Sequence, residues 1–331
     1  MKKIKKKQSI NGEKSLVINS LNMNKGKEIL KQQNTETNID KLLAQRRLYS
    51  KAKTFKWSFV LITIIFPIII SLLDNFRVVE IKEWKNIYII YVVIAFIIGI
   101  IFDNLTNNYK DIAAVIQEEF DISVFSIPKR KYLINMIDAN PNIIRKYSKK
   151  DKENTNKVEA VKNWYPTEIR KVKTSISILL CQNANVNYDK TVRIRYKRGL
   201  IVLSILNFIV LLFMSLIKGF TIEALLYKVL IPMLPIVSFL YEEIKEVNTS
   251  INNLKNLKEK IEGLLEGLSI DGIIETQDLR EVQDMIYYNR KLSVLIPDFI
   301  YKIFRNDSED EMNYSIEKTI EKLKERTKKI V

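Results

Sequence analysis

The stretch WSFVLITIIFPIIISLL, residues 57–73, decides how the rest of the chain has to be interpreted. It carries no charge and comes close to the ~20 residues that an α-helix needs to cross the hydrocarbon core of a bilayer. Pro67, near its centre, has no backbone N–H and should kink such a helix. A second uncharged stretch, NIYIIYVVIAFIIGIIF at 86–102, follows after a short loop. The two predict a transmembrane hairpin over residues 56–102.

A second pair of apolar stretches follows much later in the chain. LIVLSILNFIVLLFMSLI at 200–217 and IEALLYKVLIPMLPIVSFLY at 222–241 predict another hairpin over residues 199–241. Asn207 interrupts the third stretch and should face a neighbouring helix instead of lipid. Lys228, in the fourth, either reaches the outer interface or lines a pore. Buried core helices can be equally apolar, but two short-looped pairs separated by a long polar segment favour four membrane spans.

The distribution of basic residues predicts the orientation of these spans, because Lys and Arg near span ends stay on the cytoplasmic side. Residues 1–56 hold fifteen Lys or Arg against four acidic residues, and residues 103–198 hold nineteen against eleven. The loop 74–85 is balanced, with three of each. Both termini and the central segment are therefore expected in the cytoplasm.

The polar parts of the chain complete an all-α membrane protein. Residues 1–38 are too polar to fold alone and predict a flexible basic arm, which either lies on an anionic leaflet or binds nucleic acid; the leaflet is the simpler explanation. Residues 39–55 predict a juxtamembrane helix. The segment 103–198 and the tail 242–331 are expected to form a mainly helical cytoplasmic domain together, since a three-and-four spaced apolar seam in the tail requires a partner: Ile244, Val247, Ile251, Leu254, Leu257, Ile261, Leu264 and Leu268.

Two features of the cytoplasmic segment sharpen this expectation. The sequence YSKKDKENTNKVE at 147–159 is typical of a polar linker, and an amphipathic helix is predicted from Thr167 into the third span. In the tail, a helix beginning near Asp278 should end before Pro297. Pairing between two copies of the chain would use the tail seam equally well, although a seam this short favours packing within one chain.

The residue inventory argues against catalysis. The chain has no histidine and one cysteine, Cys181, which removes Ser-His-Asp and Cys-His arrangements and Cys-based zinc sites. Its eight glycines form no phosphate-binding loop. The acidic group Glu118, Glu119 and Asp121 lacks a second cluster for a metal, so a helix cap by Asp121 and solvated glutamates are the simpler interpretation. Neither an enzyme nor a metal site is therefore expected, although a carboxylate- or lysine-based enzyme is formally open.

Four stretches together resemble the SMODS-associated four-transmembrane effector family of bacterial antiphage systems. The resemblance covers nearly the whole chain from about residue 40. Its carriers are LLAQRRLYSKAK at 42–53, QEEFDISVFSIP at 117–128, NWYP at 163–166 with CQNANVNYDKTVRIRYK at 181–197, and LREVQDMIYYNRKLSVLIPDFIY at 279–301.

The resemblance implies a function that hydropathy and spacing do not. Members of this family are encoded beside nucleotidyltransferases that make cyclic di- or oligonucleotides, in CBASS defence operons. The chain is then expected to sense such a messenger in the cytosol and to disrupt the bacterial inner membrane, which aborts the infection. Its partners would be the lipid bilayer, the messenger and further copies of itself, with no cofactor and no nucleic acid polymer.

A cyclic nucleotide offers phosphates, which suit Arg and Lys, and bases, which stack on aromatic or guanidinium planes. The candidate ligand-binding residues are Trp164, Tyr165, Arg193, Arg195, Tyr196 and Arg290. The plainer interpretation is that these basic residues only orient the third span and that the aromatic residues belong to a core.

The juxtamembrane sequence contains candidates for coupling. Arg46, Arg47 and Tyr49 lie beside an apolar face and predict a helix docked on the cytoplasmic domain, although an orientation signal alone would also use them. The alternatives to a messenger-gated effector are a constitutive oligomeric channel or transporter, in which Asn207 and Lys228 would line the path, or a membrane-tethered scaffold.

Overall fold

The computed structural model describes residues 26–75, 81–129, 140–217 and 230–330, together with positions 222 and 226. Over these residues the fold is helical and contains no strand, which confirms the all-α prediction. The helices are α1 (Lys27–Gln32), α2 (Glu36–Val60), a π-helical turn (Leu61–Ile65), α3 (Phe66–Asn75), α4 (Ile81–Phe125), α5 (Pro141–Lys152), α6 (Thr155–Glu159), a 3-10 turn (Thr167–Lys171), α7 (Thr174–Ile217), α8 (Ile231–Leu265), α9 (Thr276–Leu292) and α10 (Asp298–Ile330).

Two helices of the described part are long and apolar enough to cross a membrane, within Glu36–Ile70 and Asn86–Phe125. They contain most of the first apolar stretch and all of the second. The third stretch forms the end of α7, where large apolar side chains between Ile201 and Phe213 are exposed. Much of the fourth stretch lies outside the described residues, so four spans remain a prediction.

The first apolar helix accommodates its proline through the π-helical turn that precedes it. The backbone N–H of Phe66 bonds to the carbonyl of Leu61, five residues back, instead of to Ile62. The freed Ile62 carbonyl accepts a hydrogen bond from the Tyr91 hydroxyl on the neighbouring helix. Pro67, which has no N–H to donate, therefore sits just beyond a local change of helical register.

The helices α2 and α4 pack closely along their length. A Cβ atom added at Gly99 would lie 3.0 Å from the Phe59 ring, so only glycine fits there without displacing that ring. One turn nearer the polar domain, the ring centroids of Phe55 and Phe102 are 5.4 Å apart, and those of Phe55 and Tyr109 are 5.6 Å apart. The hairpin is thus continuous with the aromatic packing of the polar domain.

The central segment and the tail share one hydrophobic core. Its buried side chains come from α4, α7, α8, α9 and α10, for example Phe120, Leu179, Leu254, Val282 and Ile316. The apolar seam of the tail is used inside the chain, because Val247, Ile251, Leu254, Leu257 and Ile261 are all buried against other helices.

Residues 27–32 and 36–38, which the sequence assigns to the flexible arm, are helical in the structure. Ile29 of α1 is buried in the main core. Gln33 is buried as well, and its side-chain oxygen accepts a hydrogen bond of 2.7 Å from the backbone N–H of Tyr165. Polar composition alone does not reveal these two anchors. Residues 1–25 lie outside the described part of the chain.

Two local predictions for the central segment differ from the structure, one in kind and one in its starting residue. The supposed linker at 147–159 falls in α5 and α6, which begin behind capping asparagines: Asn140 accepts from the N–H of Asn142, and Asn154 from that of Lys157. The long helix predicted from Thr167 into the third apolar stretch is present as α7, but it begins only at Thr174, because residues 167–171 form a 3-10 turn and Val172 is extended.

Candidate functional site

Glu118 and Asp121 are buried in the interior of the polar domain. The sequence interpreted them as a solvated glutamate and a helix cap, and that interpretation was wrong: α4 continues through both residues to Phe125. Glu119 points the other way, is only partly buried and pairs with Lys129. On a helix, residues three apart share a face, so Glu118 and Asp121 both point toward α9.

The helix α9 supplies partners for these two carboxylates. Arg280 places Nη2 at 2.5 Å from the Glu118 Oε1 and at 2.5 Å from the Asp284 Oδ1. Gln283 donates from Nε2 to Glu118 at 2.7 Å and to Asp121 at 2.9 Å. Burial raises the pKa of Glu118, although the charge of Arg280 opposes the shift. A buried pair of this kind is strongly destabilising when it loses one partner.

Two of the predicted ligand-binding residues, Arg290 and Tyr165, meet at the same carboxylate. Arg290 Nη1 lies 2.6 Å from Asp121 Oδ2, and the Tyr165 hydroxyl donates to Asp121 Oδ1 at 3.2 Å. Asn185 donates to the Tyr165 hydroxyl oxygen at 3.0 Å. Burial, followed by the charge of Asp121, raises the pKa of Tyr165. Tyr165 is therefore part of the core, whereas Arg290 lies at the edge of this network.

A cluster of aromatic and basic side chains lies between this network and the apolar helices. We call it the Tyr49 cluster, and its members are Tyr49, Lys53, Arg193, Arg290 and Tyr301. Lys53 Nζ lies 4.4 Å from the centroid of the Tyr301 ring. Burial raises the pKa of Tyr49, while the nearby charges of Arg290 and Arg193 act in the opposite direction. The cluster thus brings together residues from α2, α7, α9 and α10.

Each cation of the Tyr49 cluster has a carboxylate partner. Arg193 Nε lies 3.0 Å from Asp189 Oδ2, and Lys53 Nζ lies 2.6 Å from Asp298 Oδ1. Burial lowers the pKa of Lys53, and the attraction of Asp298 only partly offsets that shift. The cluster therefore combines aromatic rings with cations, and a phosphate could compete with the carboxylate partners of those cations.

Three residues that adjoin apolar stretches form what we call the span junction. Lys56 precedes the first stretch, Tyr196 the third, and Glu243 follows the fourth. Lys56 Nζ lies 2.7 and 2.8 Å from the two carboxylate oxygens of Glu243, and the Tyr196 hydroxyl donates to Glu243 at 2.8 Å. Burial, then the Glu243 charge, raises the pKa of Tyr196. Tyr196, which the sequence predicts as a ligand-binding residue, therefore belongs to the span junction in this structure.

The structure places Arg195 and Trp164 elsewhere. Arg195 pairs across to α10, with Nη2 at 2.9 Å from Glu311, and stacks over the Phe304 ring at 4.8 Å. Trp164 donates from Nε1 to Asn185 at 3.1 Å and lines a surface cavity of about 360 Å³. Only Arg193 and Arg290, of the six predicted ligand-binding residues, lie in the Tyr49 cluster.

The surface cavity beside Trp164 has a mixed lining. Two cations, Lys162 and Arg305, face it. Three carboxylates face it as well, from Glu168, Glu309 and Glu317. This excess of negative charge disfavours a ligand that carries several phosphates, although the volume suits a small molecule.

The predicted coupling residues differ in their contacts. Arg47 Nη1 lies 3.2 Å from Asp151 on α5, and the Tyr49 hydroxyl donates to Gln117 on α4 at 3.2 Å. Arg46 is exposed. Asn207 is half-buried on α7, and Lys228 lies outside the described residues. Sequence reasoning missed Lys56 and Glu243, although a charge at the very end of an apolar stretch is a signal that could have found them.

Two long apolar helices that run into a polar helical domain define a membrane-associated all-α protein. The family model of the SMODS-associating 4TM effector domain matches residues 27–319, and the chain belongs to this family. A curated protein of Bacillus cereus (strain VD146), named a probable CBASS effector molecule, is 29% identical over 295 residues, which cover 86% of this chain and 95% of that protein. No solved structure matches the chain. The family resemblance seen in the sequence is thereby confirmed.

Proposed function

We propose that the protein is a CBASS effector of bacterial antiphage defence. In this proposal its helical domain binds a cyclic di- or oligonucleotide in the cytosol, and its apolar helices then permeabilise the inner membrane. The observation that carries the proposal is the extent of the similarity. The family match and the named relative both cover the apolar helices and the polar domain together. We therefore assign messenger sensing and membrane permeabilisation to this one chain.

The proposed topology has four spans with both termini in the cytoplasm. Exposed apolar side chains on α7 support the third span, since a soluble surface rarely leaves so many large hydrophobic groups in water. The excess of Lys and Arg in residues 1–56 and 103–198 supports the orientation. In this topology the polar domain lies in the cytoplasm, next to the bilayer surface.

We place messenger binding at the Tyr49 cluster. The rings of Tyr49 and Tyr301 offer faces for bases, and Lys53, Arg193 and Arg290 offer donors for phosphates. A phosphate at Lys53 would compete with Asp298 and relieve the poorly compensated burial of the lysine. Binding would therefore exchange a contact between α2 and α10 for a contact between α2 and the ligand.

The same helix connects the cluster with the bilayer. Lys53 lies three residues before Lys56, so both occupy neighbouring positions on one face of α2. Release of Lys53 from Asp298 would let α2 shift and strain the junction of Lys56 with Glu243. The messenger can open the membrane only by binding the open arrangement more tightly than the closed one.

Purified protein in liposomes that contain a self-quenched dye tests this function. We expect dye release only after addition of a cyclic di- or oligonucleotide, tested as a panel of such messengers. Lys53→Gln should abolish release, whereas Lys245→Gln, which affects an exposed pair with Glu242, should leave it unchanged. Release without any nucleotide would favour a constitutive channel. No release with any messenger would refute the proposal.

A further inference from the structure

The helix α10 runs antiparallel to α7, and three side-chain contacts fix their register. Each step of four residues along α7 is matched by a step of four back along α10. The contacting pairs are Asn187 with Ser315 at 3.5 Å, Thr191 with Glu311 at 3.3 Å and Arg195 with Asp307 at 3.5 Å. Continued by two more steps, this register puts Ile303 level with Gly199 and Phe299 level with Leu203, at the start of the third apolar stretch.

Packing at the beginning of α10 gives the same level independently. Ile300 and Tyr301 share a hydrophobic cluster with Leu200 and Leu240, which belong to the third and fourth apolar stretches. The first turn of α10 therefore lies beside the ends of those stretches and not below them.

A third marker comes from α2. Asp298, the first residue of α10, pairs with Lys53 at 2.6 Å. Lys53 lies four residues before Trp57, where the first apolar stretch begins, and four residues rise about 6 Å along a helix. The headgroup layer of one leaflet is about 5–8 Å thick. With the first apolar stretch in the bilayer, the start of α10 would therefore fall within the headgroup layer.

The outer face of this first turn is apolar. Phe299 is 59% exposed and Ile303 is 65% exposed, and their spacing of four puts them on one face of the helix. The exposed Lys302 lies beside them. An exposed aromatic and aliphatic pair with a neighbouring lysine is typical of a helix end that lies in a membrane interface.

We propose that the first turn of α10 is an interfacial lipid-binding element. Phe299 and Ile303 enter the boundary between headgroups and acyl chains, and Lys302 contacts lipid phosphates. This rests on the proposed membrane insertion of residues 200–217 and goes beyond it. It gives the cytoplasmic tail its own attachment to the bilayer, next to the Lys53–Asp298 pair that the messenger is proposed to release.

Site-directed spin labelling of the full chain tests this element. Single cysteines are introduced by Phe299→Cys and Ile303→Cys in a Cys181→Ala background, and the protein is reconstituted in vesicles of phosphatidylcholine and phosphatidylglycerol. Collision of the nitroxide with oxygen, which concentrates in lipid, is compared with collision with a water-soluble nickel chelate. Circular dichroism verifies that each variant retains its helices.

Two matched positions calibrate the measurement. Tyr314→Cys replaces a residue that is 61% exposed on the same helix but level with Tyr188, far from the apolar stretches. Leu206→Cys replaces a residue that is 53% exposed within the third stretch. We expect a severalfold higher oxygen-to-nickel ratio at 299 and 303 than at 314, with 206 highest.

Three outcomes would overturn the proposal. Nickel accessibility at 299 equal to that at 314 would put the first turn of α10 in water while leaving membrane insertion intact. Protection of 299 and 303 from both reagents would show that a second copy of the chain covers them. Nickel accessibility at 206 would show that the third apolar stretch is not inserted in the membrane. That result would refute both this element and the proposed function, because both depend on the insertion.

Discussion

Replacement of Lys56 by methionine should loosen the span junction. Glu243 is only 4% exposed and accepts three hydrogen bonds, two of them from Lys56. The substitution leaves that carboxylate buried with Tyr196 as its partner at the junction. Breaking a fully buried pair in this way costs about 3–5 kcal/mol. Because the Lys56 side chain is 16% exposed, we expect a loss of about 2–4 kcal/mol.

A double-mutant cycle separates this pair from other effects. Glu243→Leu removes the carboxylate, and the double variant Lys56→Met with Glu243→Leu removes both charges, so it should be more stable than Lys56→Met alone. We expect a coupling energy of about 2 kcal/mol, measured by denaturant unfolding in detergent micelles with circular dichroism. The neighbouring pair of Lys245 and Glu242 is the control: both side chains are more than half exposed, so its coupling should stay below about 1 kcal/mol.

The function of the junction is tested with the same variants. If the junction holds the apolar helices closed, Lys56→Met should release dye from liposomes without a messenger, and the Glu242→Gln control should not. A coupling energy no larger than that of the Lys245 pair would refute the structural reasoning. Strong coupling without basal leakage would refute only the role of the junction as a latch.

Five further predictions concern other parts of the fold. Arg280→Met should destabilise the protein by about 3–5 kcal/mol in denaturant unfolding, since it strands Glu118. Burial raises the pKa of Glu118 in the folded protein, so protonation of Glu118 contributes fully to the free energy of unfolding below the ordinary pKa of glutamate, and this contribution is lost as the pH rises through the raised pKa. The free energy of unfolding of the natural protein minus that of Glu118→Gln should therefore fall over this pH window. A difference that rises with pH would contradict this prediction. Gly99→Val should cost about 1–3 kcal/mol by displacing Phe59, whereas Gly263→Ala, in open space, should be neutral or stabilising in thermal melts. Lys53→Met should weaken binding of the cyclic nucleotide at least about tenfold in calorimetry, as loss of one charge-assisted hydrogen bond implies, and unchanged affinity would exclude the Tyr49 cluster. Replacement of Arg46 and Arg47 by glutamine should spare membrane insertion but abolish messenger-triggered leakage, and lost insertion would show that these residues only orient the chain.

The helical architecture was predictable from the sequence because it depends on local properties. Runs without charge at 57–73 and 86–102 can satisfy their backbone in lipid only as helices, and a count of residues reveals them. The sequence also shows directly that the chain has no histidine and one cysteine, so His-dependent catalytic arrangements and Cys-based zinc sites could be set aside without a structure. The family could be recognised from four stretches, and the match over 27–319 confirms it.

The candidate site was only partly predictable, because charge alone does not indicate burial. Arg193 and Arg195 are separated by a single residue, yet one is buried beside Asp189 and the other pairs with Glu311 on the outer face of α10. The sequence could not distinguish them, since helix phase relative to a neighbour is a property of packing. In the same way the sequence predicts that Glu118 and Asp121 are solvated or capping residues. The structure shows instead that Arg280, Gln283 and Arg290 of α9 contact them in the interior.

The sequence by itself determined that this chain is helical, that its apolar residues lie in separate runs, and that residues 1–56 and 103–198 carry an excess of basic residues. Only the tertiary structure decided which charges meet. Lys56 and Glu243 are separated by most of the chain, and the level of Phe299 with the third apolar stretch depends on the register between α10 and α7. Local composition fixes helices through hydrogen bonds a few residues apart, whereas the partner of a buried charge is set by contacts between residues distant in sequence.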